Sequence, residues 1–125
     1  MGAASDEQGK KGEDLAEKLL RSKGYEIIER NYHFRKYGEV DIIAKDKEAN
    51  ALVFVEVKSR KSLFYGDPIY AVTKNKVRQV KKIASGYLFE KEISGIDIRF
   101  DVVTVVFLKK DEPEINHYIN AFDYQ

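Results

Sequence analysis

The run Ala51-Leu52-Val53-Phe54-Val55-Glu56-Val57-Lys58-Ser59 constrains the chain more than any other stretch. Five apolar residues in succession, mostly β-branched or aromatic, suit a strand covered on both faces. Glu56 and Lys58 then follow two positions apart. Side chains alternate faces along a strand, so these two project together while Val55 and Val57 point the other way. An acid and an ammonium at the mouth of a sheet form either a solvated ion pair or part of a site. This stretch alone leaves both readings open.

A second polar intrusion favours the site. In Gly38-Glu39-Val40-Asp41-Ile42-Ile43-Ala44, Asp41 interrupts another apolar strand, although Asp is depleted in strands and is seldom buried unpaired. Two hairpin strands that each carry an acid in place of an aliphatic bring carboxylates together. Such a pair costs stability unless a cation lies between them. Lys58 can be that cation, and a divalent metal serves better.

The 125-residue length sets one domain, 9–125, behind a flexible tail over 1–8. The absence of cysteine excludes disulfides and thiolate metal sites. No apolar run approaches the length of a membrane span and no signal core opens the chain, so the expectation is a cytoplasmic protein without a membrane partner. Net charge is only +1, but its distribution is uneven: Lys58 to Lys82 holds eight bases and one acid, Asp67. That excess fits a phosphate-backbone partner or a solvated basic face.

Helical spacing of Leu15, Ala16, Leu19 and Leu20 predicts an amphipathic helix from Gly9 to Lys23, ended by Gly24. Tyr25 to Phe34 alternates imperfectly and reads as a strand. Arg35-Lys36-Tyr37-Gly38 turns into the Asp41 strand, which forms a hairpin with the Glu56 strand. A loop from Arg60 to Pro68 carries Phe64 and Tyr65, placed either to stack on unpaired bases or to pack on the sheet edge. Thr73 then caps a helix to about Phe89 with Val77, Val80, Ala84, Tyr87 and Leu88 on its inner face. Ile98 to Leu108 reads as a buried strand, parallel to the Glu56 strand through a right-handed crossover. After a turn from Asp111 to Glu114, Ile115 to Phe122 forms an edge strand. The fold class is α/β, a mixed five-stranded sheet flanked by helices in the order αβββαββ.

Asp41, fourteen residues, then Glu56-x-Lys58 resembles the core of the PD-(D/E)xK nucleases, which implies a restriction-endonuclease-like fold. Glu13 matches the extra helix acid of their Holliday-junction-resolvase-like branch. Gly12-Glu13-Asp14-Leu15-Ala16, Gly24-Tyr25, Arg30-Asn31, Gly38-Glu39-x-Asp41, Phe54-Val55-Glu56-Val57-Lys58-x-Arg60, Ala71-Val72-Thr73, Lys76, Arg99-Phe100-Asp101-Val102 and Asn120-Ala121-Phe122 together resemble the bacterial YraN (UPF0102) family. Val40 stands where the superfamily often has proline.

The resemblance implies a metal-dependent endonuclease or junction-resolvase-like phosphodiesterase acting on DNA. The alternative is a non-catalytic nucleic-acid-binding module on the same fold. For hydrolysis, Mg²⁺ or Mn²⁺ takes one or two carboxylates and keeps several waters. Asp41 and Glu56 supply the carboxylates, the Val57 carbonyl a third oxygen, and Glu13 a contact to a metal-bound water or second ion. Lys58 orients or deprotonates the attacking water and stabilises the phosphoryl charge. Arg60, Lys61, Thr73, Lys74, Lys76, Arg78 and Gln79 are the candidate nucleic-acid contacts, with backbone donors at the start of the second helix. Glu39 is expected to pair with a nearby base, and His33 and His117 to be surface or satisfied histidines. A homodimer that cuts two strands is an open assembly.

Overall fold

The structure, a computed structural model, describes residues 3–109 and 112–122. Helix α1 spans Ala3–Ser22. It is followed by β1 (Tyr25–Phe34), β2 (Gly38–Asp46), β3 (Ala51–Arg60), a 3₁₀ turn over Pro68–Ala71, α2 (Lys74–Glu90), β4 (Asp97–Val106) and β5 (Glu114–Tyr118). The strands lie in sequence order. Only β3 and β4 pair in parallel, joined across one face by α2, and every other neighbour is antiparallel. This is the α/β class and the αβββαββ order that the spacing predicts.

Differences concern the ends of elements. Residues 3–8, expected in a tail, continue α1, consistent with the good helix-forming Ala, Glu and Gln there. Strand β5 stops at Tyr118 and not Phe122: Asn120 takes φ 54 and Ala121 N–H donates to the Phe100 carbonyl, so the chain folds back over β4. The turn expected from Asp111 begins outside the described residues. A 3₁₀ turn interrupts the predicted loop, where the Asp67 carboxylate accepts from Ile69 N–H and Pro68 takes the first position.

Two apolar layers sandwich the sheet. On the α1 side, Ala16 and Leu20 pack on Ile42, Ala44, Val53, Val55, Val103 and Val105. On the α2 side, Val80, Ile83, Ala84 and Tyr87 pack on Val40, Ile43, Leu52, Phe54 and Phe100. Ile83 joins the inner face; Leu88 packs on the edge of this layer, and both Val77 and Leu88 are half-buried. Strand β3 is therefore buried on both faces through Glu56.

Candidate active site

Strands β2 and β3 cease to pair beyond Ile42 and Val55, so Asp41 and Glu56 are the first residues past the ladder. The geometry changes there for a local reason. Arg30 and Ile42 are cross-strand partners and both turn toward α1. Tyr32 and Val40, the partners two residues on, pack in the α2 layer. Residues two apart in a strand ordinarily share a face, so both strands rotate between these pairs, at Asn31 and Asp41. Asn31 has φ 52, a left-handed conformation that Asn tolerates better than most residues with a Cβ. Asp41 is fixed by the Val57 N–H, which donates to its Oδ2 at 2.8 Å.

Glu56 is only 4% exposed. Its Oε2 lies 3.7 Å from Lys58 Nζ and 3.8 Å from Lys76 Nζ. Among the described residues its buried Oε1 has no partner with a fixed hydrogen, although a proton on Asp41 can join the two carboxyls. Lys76 reaches back from the first turn of α2 and also donates to the Glu39 carbonyl at 3.1 Å. Burial, and then the charge of Glu56, push the Asp41 carboxyl up to about 7. Two acids so placed share a proton or need a cation. The buried Oε1 without a donor fits a hard cation.

Glu13 approaches from α1, where Gly12 permits the contact: a Cβ there would collide with the Ser59 side chain of β3. Burial, and then Asp41, raise the Glu13 carboxyl above its ordinary range, against the lowering effect of Arg30 and Asn31. The Arg30 guanidinium holds Glu13 at 3.1 Å, Asp14 at 2.8 Å and Glu17 at 3.3 Å. Glu13 thus feels Asp41 electrostatically while bonded to Arg30. Among the described residues no three acids or histidines form a ready metal cage. The residues fit an ion carried by the Asp41/Glu56 pair that keeps waters or substrate oxygens, the ordinary habit of Mg²⁺.

The structure brings Asp41, Glu56, Lys58 and Lys76 together, with Glu13 beside Asp41. It gives other candidates different engagements. Thr73 Oγ1 caps α2 by accepting from Lys76 N–H, and the Gln79 amide donates to the Tyr37 carbonyl. Arg78 pairs with Asn75, and Arg60 Nη1 donates to the Ser59 carbonyl. Lys61 and Lys74 are exposed beside them. Phe64 and Tyr65 are 83% and 89% exposed, so neither packs on the sheet edge. Glu39 pairs with His33.

Arg30 and Asn31 escaped the residue-level reading as parts of the site. Their signals are an arginine and an asparagine inside a strand pattern and their place in the family resemblance. A second polar cluster escaped it as well. Asp101, 1% exposed, accepts from Arg99 at 2.9 and 3.0 Å and from Asn120 N–H at 2.9 Å. His117 Nε2 lies 2.7 Å from Asp101 Oδ2, and its Nδ1 is 2.7 Å from Lys23 Nζ. Arg99 also donates to Asp46 and Tyr25. Every oxygen of Asp101 is satisfied, so this acid ties β4, β5 and the β1 and β2 ends together.

Residues 12–105 match the model of the Uncharacterised protein family UPF0102. The chain is 46% identical over 115 residues to a UPF0102 protein of Geobacter sulfurreducens, covering 92% of this chain and 88% of that one. A UPF0102 protein of Syntrophomonas wolfei is 47% identical over 116 residues, covering 93% and 97%. One from Rhodococcus opacus is 46% identical over 114 residues, covering 91% and 94%. No helix among the described residues is long and apolar enough to cross a membrane.

Proposed function

The chain belongs to the UPF0102 family, and for this member we propose a metal-dependent phosphodiester hydrolase acting on nucleic acid, with DNA as the substrate and Mg²⁺ or Mn²⁺ as the ion. One observation carries the reading: a buried pair of acids, Asp41 and Glu56, with two ammoniums on one oxygen of Glu56 and no donor on the other. A structural ion pair has no use for that orphaned oxygen, since an unsatisfied buried acceptor costs about 1–3 kcal/mol. Below about pH 7 the proton kept on Asp41 can bridge the two carboxyls; once it is lost, a cation seat accounts for the pair.

Asp41, Glu56 and the Val57 carbonyl would hold the ion, with Glu13 toward a bound water. When bound, the ion supplies Lewis-acid activation of water and neutralises phosphate charge. The chain's own residues do the rest. Lys58 and Lys76 balance the charge that grows on the non-bridging oxygens as the water oxygen bonds to phosphorus. Lys58 orients that water. The attacking water gives up a proton to solvent, the bond from phosphorus to the leaving sugar oxygen breaks, and that oxygen takes a proton from solvent in return.

The test incubates purified protein with linear, single-stranded and four-way-junction DNA in Mg²⁺, Mn²⁺ or EDTA. Cleavage that needs the metal and is lost in Lys58→Ala while DNA binding survives supports the hydrolase. Binding without cleavage of any substrate would replace it with a non-catalytic nucleic-acid-binding module.

A further inference from the structure

We infer that the groove between the β1–β2 turn and α2 seats the phosphate backbone of a duplex arm away from the scissile bond. This inference rests on the nucleic-acid reading above. The groove is an open cavity of about 420 Å³ lined by Phe34, Arg35, Tyr37, Lys81, Lys82 and Ser85. The Arg35 guanidinium stands 5.1 Å from the Phe34 ring centroid and Lys82 Nζ 5.7 Å from that of Tyr37. The two rings lie nearly parallel, 10° apart in plane and 5.9 Å between centroids. A ring face positions a cation without neutralising it. Among the described residues, neither Arg35 nor Lys82 has a carboxylate in an ion pair.

The walls are fixed without a ligand. Gln79 donates its amide hydrogen to the Tyr37 carbonyl, and Tyr37 N–H donates to the Phe34 carbonyl at 3.1 Å. Phe34 lies so close to Gly86 that a Cβ there would run into the ring. Turn and helix are thereby joined at both ends of the groove.

Charge identifies the occupant. From Pro68 to Phe89 the chain has no acid, whereas a merely soluble face mixes both signs. Lys74, Arg78 and Lys82 recur every four residues and form one exposed stripe of α2. Lys82 is six residues beyond Lys76, which contacts Glu56; that is about 9 Å along the helix. Phosphates of one strand advance about 3.4 Å along the duplex axis per nucleotide, so the groove and Lys76 lie within the span of a few nucleotides.

The experiment measures binding of fluorescein-labelled duplex DNA by anisotropy over a salt series in EDTA, for the wild type and for Arg35→Gln/Lys82→Gln. Both side chains are exposed, and equal thermal midpoints establish that the variant folds. The expected result is binding weakened about tenfold or more at low salt, with a log–log salt slope shallower by about 1–2. A variant with the wild-type slope and affinity overturns the groove and leaves the hydrolase reading intact. Wild-type protein that binds no nucleic acid overturns both.

Discussion

Asp41 and Glu56, from neighbouring strands, oppose their carboxylates just past the last paired residues of the β2–β3 ladder, and burial with this opposition raises Asp41 to about 7. The native state therefore keeps a proton on Asp41 that the unfolded chain releases near pH 4. That contribution to stability is complete below about pH 4 and is lost as the pH rises through about 7.

Asp41→Asn keeps an oxygen for the Val57 N–H and removes the repelling charge. We expect the variant to melt at least about 3 °C above the wild type at pH 8, with the gap closing below pH 5. It should also lose metal-dependent activity. Melting curves at the two pH values check this, and a variant less stable than the wild type at pH 8 contradicts it.

Asp101 behaves oppositely. Burial alone would raise its carboxyl, but hydrogen bonds from His117 and Arg99 outweigh that and hold it below the ordinary range. Its stabilisation is present above about pH 4 and is lost as the pH falls through the depressed value. Asp101→Asn should cost on the order of 3 kcal/mol at pH 7 and flatten the acid limb of the stability profile. Urea titrations at pH 7 and pH 3.5 measure both.

Gly12 is expected to be worth more to the site than to the core. Gly12→Ala meets the Ser59 hydroxyl, which must rotate away or let α1 shift outward; the shift carries Glu13 from Asp41. The Glu13 titration, followed by carboxyl-labelled NMR, should move downward as burial and the Asp41 contribution weaken, with a destabilisation of about 1–3 kcal/mol. An unmoved titration with the same loss of stability would place Glu13 outside the electrostatics of the site.

Asn31 supplies the left-handed residue that rotates β1 opposite Asp41. Asn31→Gly should fold with stability within about 1 kcal/mol of the wild type, whereas Asn31→Val should lose more than about 2 kcal/mol. Equal losses would show that the side chain's contact to Glu13, and not the backbone, makes the difference.

The contrast between Asp41 and Asp101 explains how far the chain is legible from its residues. Turn residues and periodicity give β1, β2 and α2 nearly to the residue, and burial on both faces leaves the apolar run of β3 few alternatives. Both acids interrupt such runs and look alike in the sequence. What separates them is how many donors reach them: Asp101 accepts from Arg99, two residues away, and from His117 and Asn120 further along the chain, whereas the donor described at Asp41 is the Val57 N–H. Likewise Glu13, Asp14 and Glu17 of α1 look like ordinary helix-surface acids until Arg30 gathers them. Long-range pairing of this kind leaves no local period to read.

Calorimetric titration of Mn²⁺ into the protein at pH 8, beside Glu56→Gln, tests the cation seat directly. Saturable binding to the wild type, weakening as the pH drops below about 7 where Asp41 takes up its proton and absent in Glu56→Gln, is the predicted result. Binding equal in the two proteins, or none to the wild type, would contradict it.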